Sequence, residues 1–202
     1  RDDLGVALLE GIDAVFIGGS GAYSVPLDYP WMPGVLGFVR DAIEVGVPMF
    51  GSCWGHQLIA RALGGTVVHD GARAELGCFD VELNDAGRRD PLFASFPSRF
   101  RANQGHHDRV LVLPERCTSL AHSATQPHQA FRVDGRPVYG TQFHSELDAT
   151  AVHIGRQHRD TRAAAFCNVE HRFLAVSHFR GHQGCHELDR IMRLHICRLG
   201  GN

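Results

Sequence analysis

Gly51-Ser52-Cys53-Trp54-Gly55-His56-Gln57 is the stretch that decides the fold of this chain. The short apolar run Val47-Pro-Met-Phe50 precedes it and reads as a buried strand. Gln57 to Leu63 follows and reads as a helix closed by Gly64-Gly65. A Gly-x-Cys-x-Gly turn between strand and helix has the pattern of a nucleophile elbow, with Cys in the usual Ser position. The central residue of such a turn is held in a strained backbone conformation. Its neighbours two positions away must be small so that chain segments can approach. The thiol then lies at a helix N-terminus, where partial positive charge favours the thiolate.

Outward from this turn, the same alternation continues. Asp13 to Ile17 is a short apolar strand ending in Gly18-Gly19. Trp31 to Val45 carries Val35, Phe38, Val39, Ala42 and Ile43 at helical spacing, with Gly46 as a stop signal. Thr66 to His69 is a further strand. Strand, turn, helix, strand in this order predicts a parallel sheet with helices on its faces. The middle of the chain is more strand-like: Leu76 to Leu83, Arg99 to Ala102, Ser119 to His122, Gln129 to Val133 and Val138 to Phe143, punctuated by prolines. Near the end, Glu187 to Leu199 has Leu188, Ile191, Met192 and Ile196 on one helical stripe.

Composition narrows the function. The 202 residues are 44% hydrophobic and 21% charged, an ordinary globular balance that excludes a disordered chain or a coiled coil. No apolar run reaches the roughly 20 residues of a membrane helix, and there is no secretory leader pattern. The net charge of −2 gives no global field for nucleic acid or anionic lipid. All 20 basic residues are Arg, which excludes a catalytic lysine, a P-loop lysine and Schiff-base chemistry. The six Cys are irregularly spaced, so a cytoplasmic enzyme with mostly reduced thiols is expected.

Charge divides the chain near residue 150. Residues 1–150 hold 12 Arg against 18 acids, and 151–202 hold 8 Arg against 4. We therefore expect a domain over 1–150 and a His- and Arg-rich tail over 151–202. The tail contains Cys167-x3-His171 and His178-x3-His182-x2-Cys185-His186, spacings that match no well-defined zinc finger. No metal and no cofactor are expected. Gly18-Gly19-Ser20-Gly21 lacks both a Lys and a full Gly-x-Gly-x-x-Gly helix start, which argues against a phosphate loop.

A thiolate nucleophile needs a proton shuttle. His144 lies at the end of the Val138–Phe143 strand, where a parallel sheet could bring it beside Cys53; Glu146 could orient its ring. An anionic tetrahedral intermediate needs donors. The Trp54 backbone N–H and the Gly18–Gly21 turn are the candidates.

With these residues, the sequence resembles the class I, triad-type glutamine amidotransferases. It is most similar to stand-alone proteins like the amidotransferase domain of GMP synthase. Three segments carry the resemblance: Phe16-Ile-Gly-Gly-Ser-Gly21, the Gly51–Gln57 turn with Ala62-Leu-Gly-Gly65, and Tyr139-Gly-Thr-Gln-Phe-His-Ser-Glu146. Glu75-Leu-Gly77, His106-His-Asp108 and Leu113-Pro114 add weaker support. The resemblance implies a flavodoxin-like, three-layer α/β sandwich with a mostly parallel central sheet. It implies hydrolysis of the glutamine side-chain amide through a γ-glutamyl thioester, releasing ammonia to a synthetase partner. It assigns Cys53 as nucleophile, His144 as general base and acid, and Glu146 as orienting carboxylate. Gly19 and Trp54 become oxyanion donors; Gln57, Gly18 and His106 become substrate contacts, with Asn103 to Asp108 as a pocket-lining loop.

The sequence departs from the family in three places. Ser20 and Ser145 stand where the family usually has Pro. Only about a dozen residues precede Asp13, where the family has a strand, a helix and often another strand, so the sheet is expected to lack N-terminal strands. After Asp148 nothing resembles the family. Two alternatives stay open: a γ-glutamyl hydrolase acting on another γ-glutamyl compound, and a non-catalytic or degenerate family member.

Overall fold

The computed structural model of the chain describes Leu9, residues 11–145 and the strand Leu194–Cys197. Its sheet is built around three parallel strands. β1 (Ala14–Ile17) pairs in parallel with β2 (Met49–Ser52), and β2 pairs in parallel with β9 (Val138–Thr141). The register sets Ile17 beside Gly51 and Ser52 beside Thr141, so all three strands end at one level. Val15 and Ile17 are buried on one face, while Phe16 turns to the other and stacks on Phe50 at 5.8 Å.

Helix α1 (Met32–Glu44) has Pro33 in its first turn, where the missing N–H costs nothing. Its stripe of Met32, Val35, Phe38, Val39, Ala42 and Ile43 is buried, as the periodicity predicts. Helix α2 (Trp54–Ala62) is buried on nearly every side and packs against both α1 and β2. Fully burying Ile43, Leu58 and Ile59 contributes about 1.5–3 kcal/mol each, an upper-end figure because denatured chains already bury some surface.

Beyond α2 the chain departs from the expected parallel sheet. β3 (Thr66–His69) leaves the main sheet and forms an antiparallel ribbon with β6 (Asp108–Val112). β4 (Glu75–Leu83), β5 (Arg99–His106), β7 (Cys117–His122) and β8 (Ala130–Val133) extend the sheet from β9. Its order is β10-β1-β2-β9-β8-β7-β4-β5, with β10 at Leu194–Cys197. Only β1–β2 and β2–β9 run parallel, and the other neighbours are antiparallel. The sheet is therefore mixed, not mostly parallel. Short connections such as the one between β8 and β9 can join only antiparallel strands, because a parallel pair needs a long crossover.

Ala130 and Phe131, successive residues of β8, point into different clusters. Phe131 joins the core beneath α1 and α2. Ala130 joins a second core with Val81, Leu120 and the edge-to-face rings of Phe93, Phe96, Phe100 and Phe143. Helix α3 (Asp85–Arg89), capped by the Asn84 side chain on the Gly87 N–H at 2.9 Å, packs on β4 and β7. The two cores on opposite faces give the α/β sandwich its layers.

Two further expectations change. Of the helix expected over Glu187 to Leu199, Leu194–Cys197 forms β10 instead, antiparallel to β1, and the remainder lies outside the described residues. That pairing satisfies the outer backbone groups of β1, which would otherwise form an open edge. Among the described residues before β1, none forms a strand. The Cys and His spacings of the tail lie outside the described residues, as does nearly all of 151–202. Cys53 and Cys117 carry free thiols, whereas Cys78 is disulfide-bonded, contrary to the expectation for that residue. Among the described residues, no helix is long and apolar enough to cross a membrane.

Candidate active site

Cys53 is the only non-glycine residue among those described with positive φ, at φ +51° and ψ −99°. The elbow is enforced by contact distance. A Cβ at Gly51 would lie 2.5 Å from the Gly55 carbonyl carbon, and one at Gly55 would lie 2.1 Å from the Ile17 carbonyl oxygen. No side chain fits either place, so β1, β2 and the start of α2 close on each other only through these glycines. The Cys53 N–H donates to the Thr141 carbonyl at 2.8 Å, tying the elbow to β9.

His144 follows β9 by three residues, and its N–H donates to the Asn103 carbonyl at 2.9 Å. Its ring lies between two glycines. A Cβ at Gly19 would be 2.9 Å from His144 Cε1 and 3.6 Å from Cys53 Cβ; one at Gly105 would be 3.8 Å from His144 Nε2. The fold thus brings Gly19, Cys53 and His144 together from β1, β2 and β9. Glu146 lies outside the described residues. Trp54 opens α2, with its buried indole packed toward Trp31. Gly18 is half-buried at the end of β1.

The other expected substrate contacts have protein partners. Gln57 is buried, and its Nε2 donates to the Asp108 carbonyl at 2.8 Å and to Gln142 Oε1 at 3.1 Å. His106 is buried with Nδ1 on the same Asp108 carbonyl, 2.9 Å, and Nε2 on Glu75 Oε2, 3.0 Å. Both ring nitrogens thus face oxygen atoms of the protein. Burial pushes the Glu75 carboxyl up, but hydrogen bonds from His106, Ser123 and Thr125 outweigh it and hold the group below its ordinary value. The Asn103 to Asp108 segment is not a long loop: it is the end of β5, a one-residue bend at His107 and the first residue of β6.

The Asp108 carboxylate joins the ribbon to the turn after β1. Its Oδ2 accepts from Ser24 Oγ at 2.6 Å and from the Val25 N–H at 3.2 Å, while Oδ1 faces His69 Nδ1 at 2.8 Å. Gln142 and Glu75 are the residues whose roles sequence reasoning misses. Gln142 Nε2 donates to Cys53 Sγ at 3.7 Å. Its one signal is its place two residues before His144, just beyond β9, the strand paired with the one that leads into the elbow. By contrast, burial pushes the Cys117 thiol up to about 12, so that thiol is protonated and inert at neutral pH. Among the described residues, no group of three or more His, Cys, Asp or Glu is arranged to hold a metal.

A mixed α/β sheet with a cysteine elbow facing a histidine at the end of a neighbouring strand defines a class of protein. The chain belongs to the class-I glutamine amidotransferases: that family's model matches residues 5–154. Among named relatives, it is 38% identical over 107 residues to a GMP synthase [glutamine-hydrolyzing] subunit of Pyrococcus abyssi, covering 53% of this chain and 55% of that one. It is equally similar, over 108 residues, to GMP synthase [glutamine-hydrolyzing] of Streptomyces avermitilis, covering 54% of this chain but 20% of that protein. The chain thus spans about half the length of the Pyrococcus and Thermococcus relatives it matches. Among solved structures, a GMP synthase-like protein from Thermoplasma acidophilum superposes with TM-score 0.62 at 29% identity, covering 76% of this chain and 74% of that one. A glutamine amidotransferase from Thermotoga maritima gives 0.62 at 27% identity, covering 71% and 61%. The fold is accordingly the flavodoxin-like α/β fold of this family.

Proposed function

We propose that this chain hydrolyses the side-chain amide of glutamine through a thioester on Cys53. The observation that carries the reading is the convergence of Gly19, Cys53 and the His144 ring at a strained strand-to-helix turn. Cys53 Sγ attacks the amide carbonyl carbon, and the thiol proton passes to His144. The oxyanion accepts hydrogen bonds from the backbone N–H groups of Gly19 and Trp54. His144 returns the proton to the amide nitrogen, the C–N bond breaks, and ammonia leaves. A water, deprotonated by His144, then attacks the γ-glutamyl thioester; glutamate departs and Cys53 regains its proton. Glu146 orients the imidazole throughout. Gly18 borders the substrate, while Gln57 and His106 act on it through the groups they hold.

The ammonia passes to a synthetase on a separate protein. Support comes from the relatives: one is named as a single subunit of GMP synthase, and another is a long GMP synthase chain of which this match covers 20%. The amidotransferase unit is residues 1–150, and 151–202 is an appended tail. The test is glutamate release from glutamine by the wild type and by Cys53→Ala, alone and with a cognate synthetase. Loss of turnover in Cys53→Ala supports the mechanism, and wild-type rates in that variant refute it. Faster release from another γ-glutamyl amide than from glutamine would favour a γ-glutamyl hydrolase.

A further inference from the structure

Gln142 is buried one residue beyond β9, where its backbone N–H donates to the Gln129 carbonyl at 2.8 Å. Its side-chain amide has two neighbours. Oε1 accepts from Gln57 Nε2 at 3.1 Å, and Nε2 donates to Cys53 Sγ at 3.7 Å. The orientation of this amide is forced by what lies behind it. Gln57 Nε2 stands between two acceptors, Gln142 Oε1 and the Asp108 carbonyl at 2.8 Å. A flipped Gln57 would set its oxygen against the Asp108 carbonyl oxygen, so the nitrogen must face both. Gln142 must then present oxygen to Gln57 and nitrogen to sulfur. The Asp108 carbonyl is itself held by His106 Nδ1, whose other nitrogen is held by the buried Glu75. Glu75 is fixed in turn by Ser123, Thr125 and Gln129.

We infer that Gln142 is a further catalytic residue, donating an N–H to the Cys53 sulfur, with Gln57 as the positioning residue that fixes its amide. The inference rests on the reading of Cys53 as the nucleophile. A hydrogen bond to the charged form of an acid favours that form, and donors to ionised acceptors are the stronger ones. The Gln142 amide therefore stabilises thiolate over thiol. It does so without competing for the proton, because an amide N–H does not titrate; the proton is left to His144. As sulfur becomes a thioester, it loses charge and the hydrogen bond weakens. The donor therefore raises the fraction of reactive thiolate while lowering the reactivity of each.

The test is the rate of Cys53 alkylation by iodoacetamide across pH, read by mass spectrometry on that peptide, in the wild type, Gln142→Met and Gln142→Glu. Methionine keeps the length and removes the donor. Glutamate keeps an acceptor for Gln57 and sets a negative charge against sulfur. The expected result is a midpoint about one pH unit higher in Gln142→Met and higher again in Gln142→Glu. A midpoint unchanged in whichever of the two variants melts cooperatively overturns the proposal. A separate arm asks whether glutamine protects wild-type Cys53 from a diazo-ketone glutamine analogue. Failure of that arm counts against the nucleophile reading, whereas an unmoved midpoint with protection intact counts only against Gln142.

Discussion

Gly19 and His144 stand so close that a single methyl group does not fit between them: a Cβ on Gly19 would lie 2.9 Å from His144 Cε1. The same methyl would lie 3.6 Å from Cys53 Cβ. A glycine at the end of β1 thus sets the distance between the thiol of β2 and the imidazole beyond β9. Replacing it moves the ring or the turn, and either change spoils the alignment on which proton transfer depends.

Gly19→Ala should therefore lower glutaminase turnover by about 100-fold. The thermal midpoint should change little, because Gly19 has no left-handed φ to lose. Steady-state kinetics with a melting curve on the same sample checks this. Turnover at the wild-type rate would mean that the ring has room to spare.

Gly55→Ala should fail for a different reason. Its Cβ would stand 2.1 Å from the Ile17 carbonyl oxygen, between backbone atoms that have no rotamer with which to escape. We expect a loss of about 3 kcal/mol, lowering the melting midpoint by about 10 °C. Differential scanning calorimetry checks this, with Gly64→Ala, at a positive-φ turn with open space around it, as a milder comparison.

Acid should weaken the fold through His56. Its side chain is fully buried beside the Phe131 ring, and burial pushes its pKa down to about 3 from an ordinary 6.5. The folded value is depressed, so the unfolded chain binds the proton first. The neutral ring's contribution is fully present above pH 6.5 and is lost as pH falls from 6.5 toward 3. The expected slope from this group is about 1.4 kcal/mol per pH unit in that window. Urea denaturation at several pH values should show the slope reduced in His56→Phe. An equal slope in the variant would rule His56 out as its source.

Glu75→Gln removes the carboxylate that faces His106 Nε2. The folded pKa of Glu75 lies below its ordinary 4.5, so its contribution is present above pH 4.5 and fades as pH falls through the folded value. The variant should lose stability at neutral pH and less of it in acid, so that the two denaturation curves converge. It should also raise the alkylation midpoint of Cys53 by less than Gln142→Met does, because it acts on sulfur only through His106, Asp108, Gln57 and Gln142.

Much of the molecule is legible in the sequence, and the parts that are not share a cause. β1, α1, α2 and β3 announce themselves through apolar periodicity and terminal glycines. The elbow is visible because only glycine can occupy positions 51 and 55 when backbones meet so closely. β5 is readable only as far as Ala102, because Gln104 and His106 look like loop residues. Both are buried, Gln104 on Gln129 and His106 on Glu75, so the strand's alternation is written in paired polar groups. β6 escapes for the same reason: Asp108 and Arg109 are buried charges with partners in distant segments, Ser24 and Asp70. β10 lies at the end of a segment that reads as a helical stripe, of which it contains only Ile196, and it pairs with β1, a tertiary preference that local periodicity does not record. Gln142 stands inside the quoted motif, yet its role depends on an amide orientation set by Gln57 and Asp108, far away in sequence.

The most direct test of the central claim is covalent labelling of Cys53 by a diazo-ketone analogue of glutamine, read by peptide mass spectrometry, with and without excess glutamine. The account predicts a single label on Cys53, blocked by glutamine, with Cys117 left unmodified. No label on Cys53 in protein that melts cooperatively, or labelling that glutamine does not suppress, would contradict it.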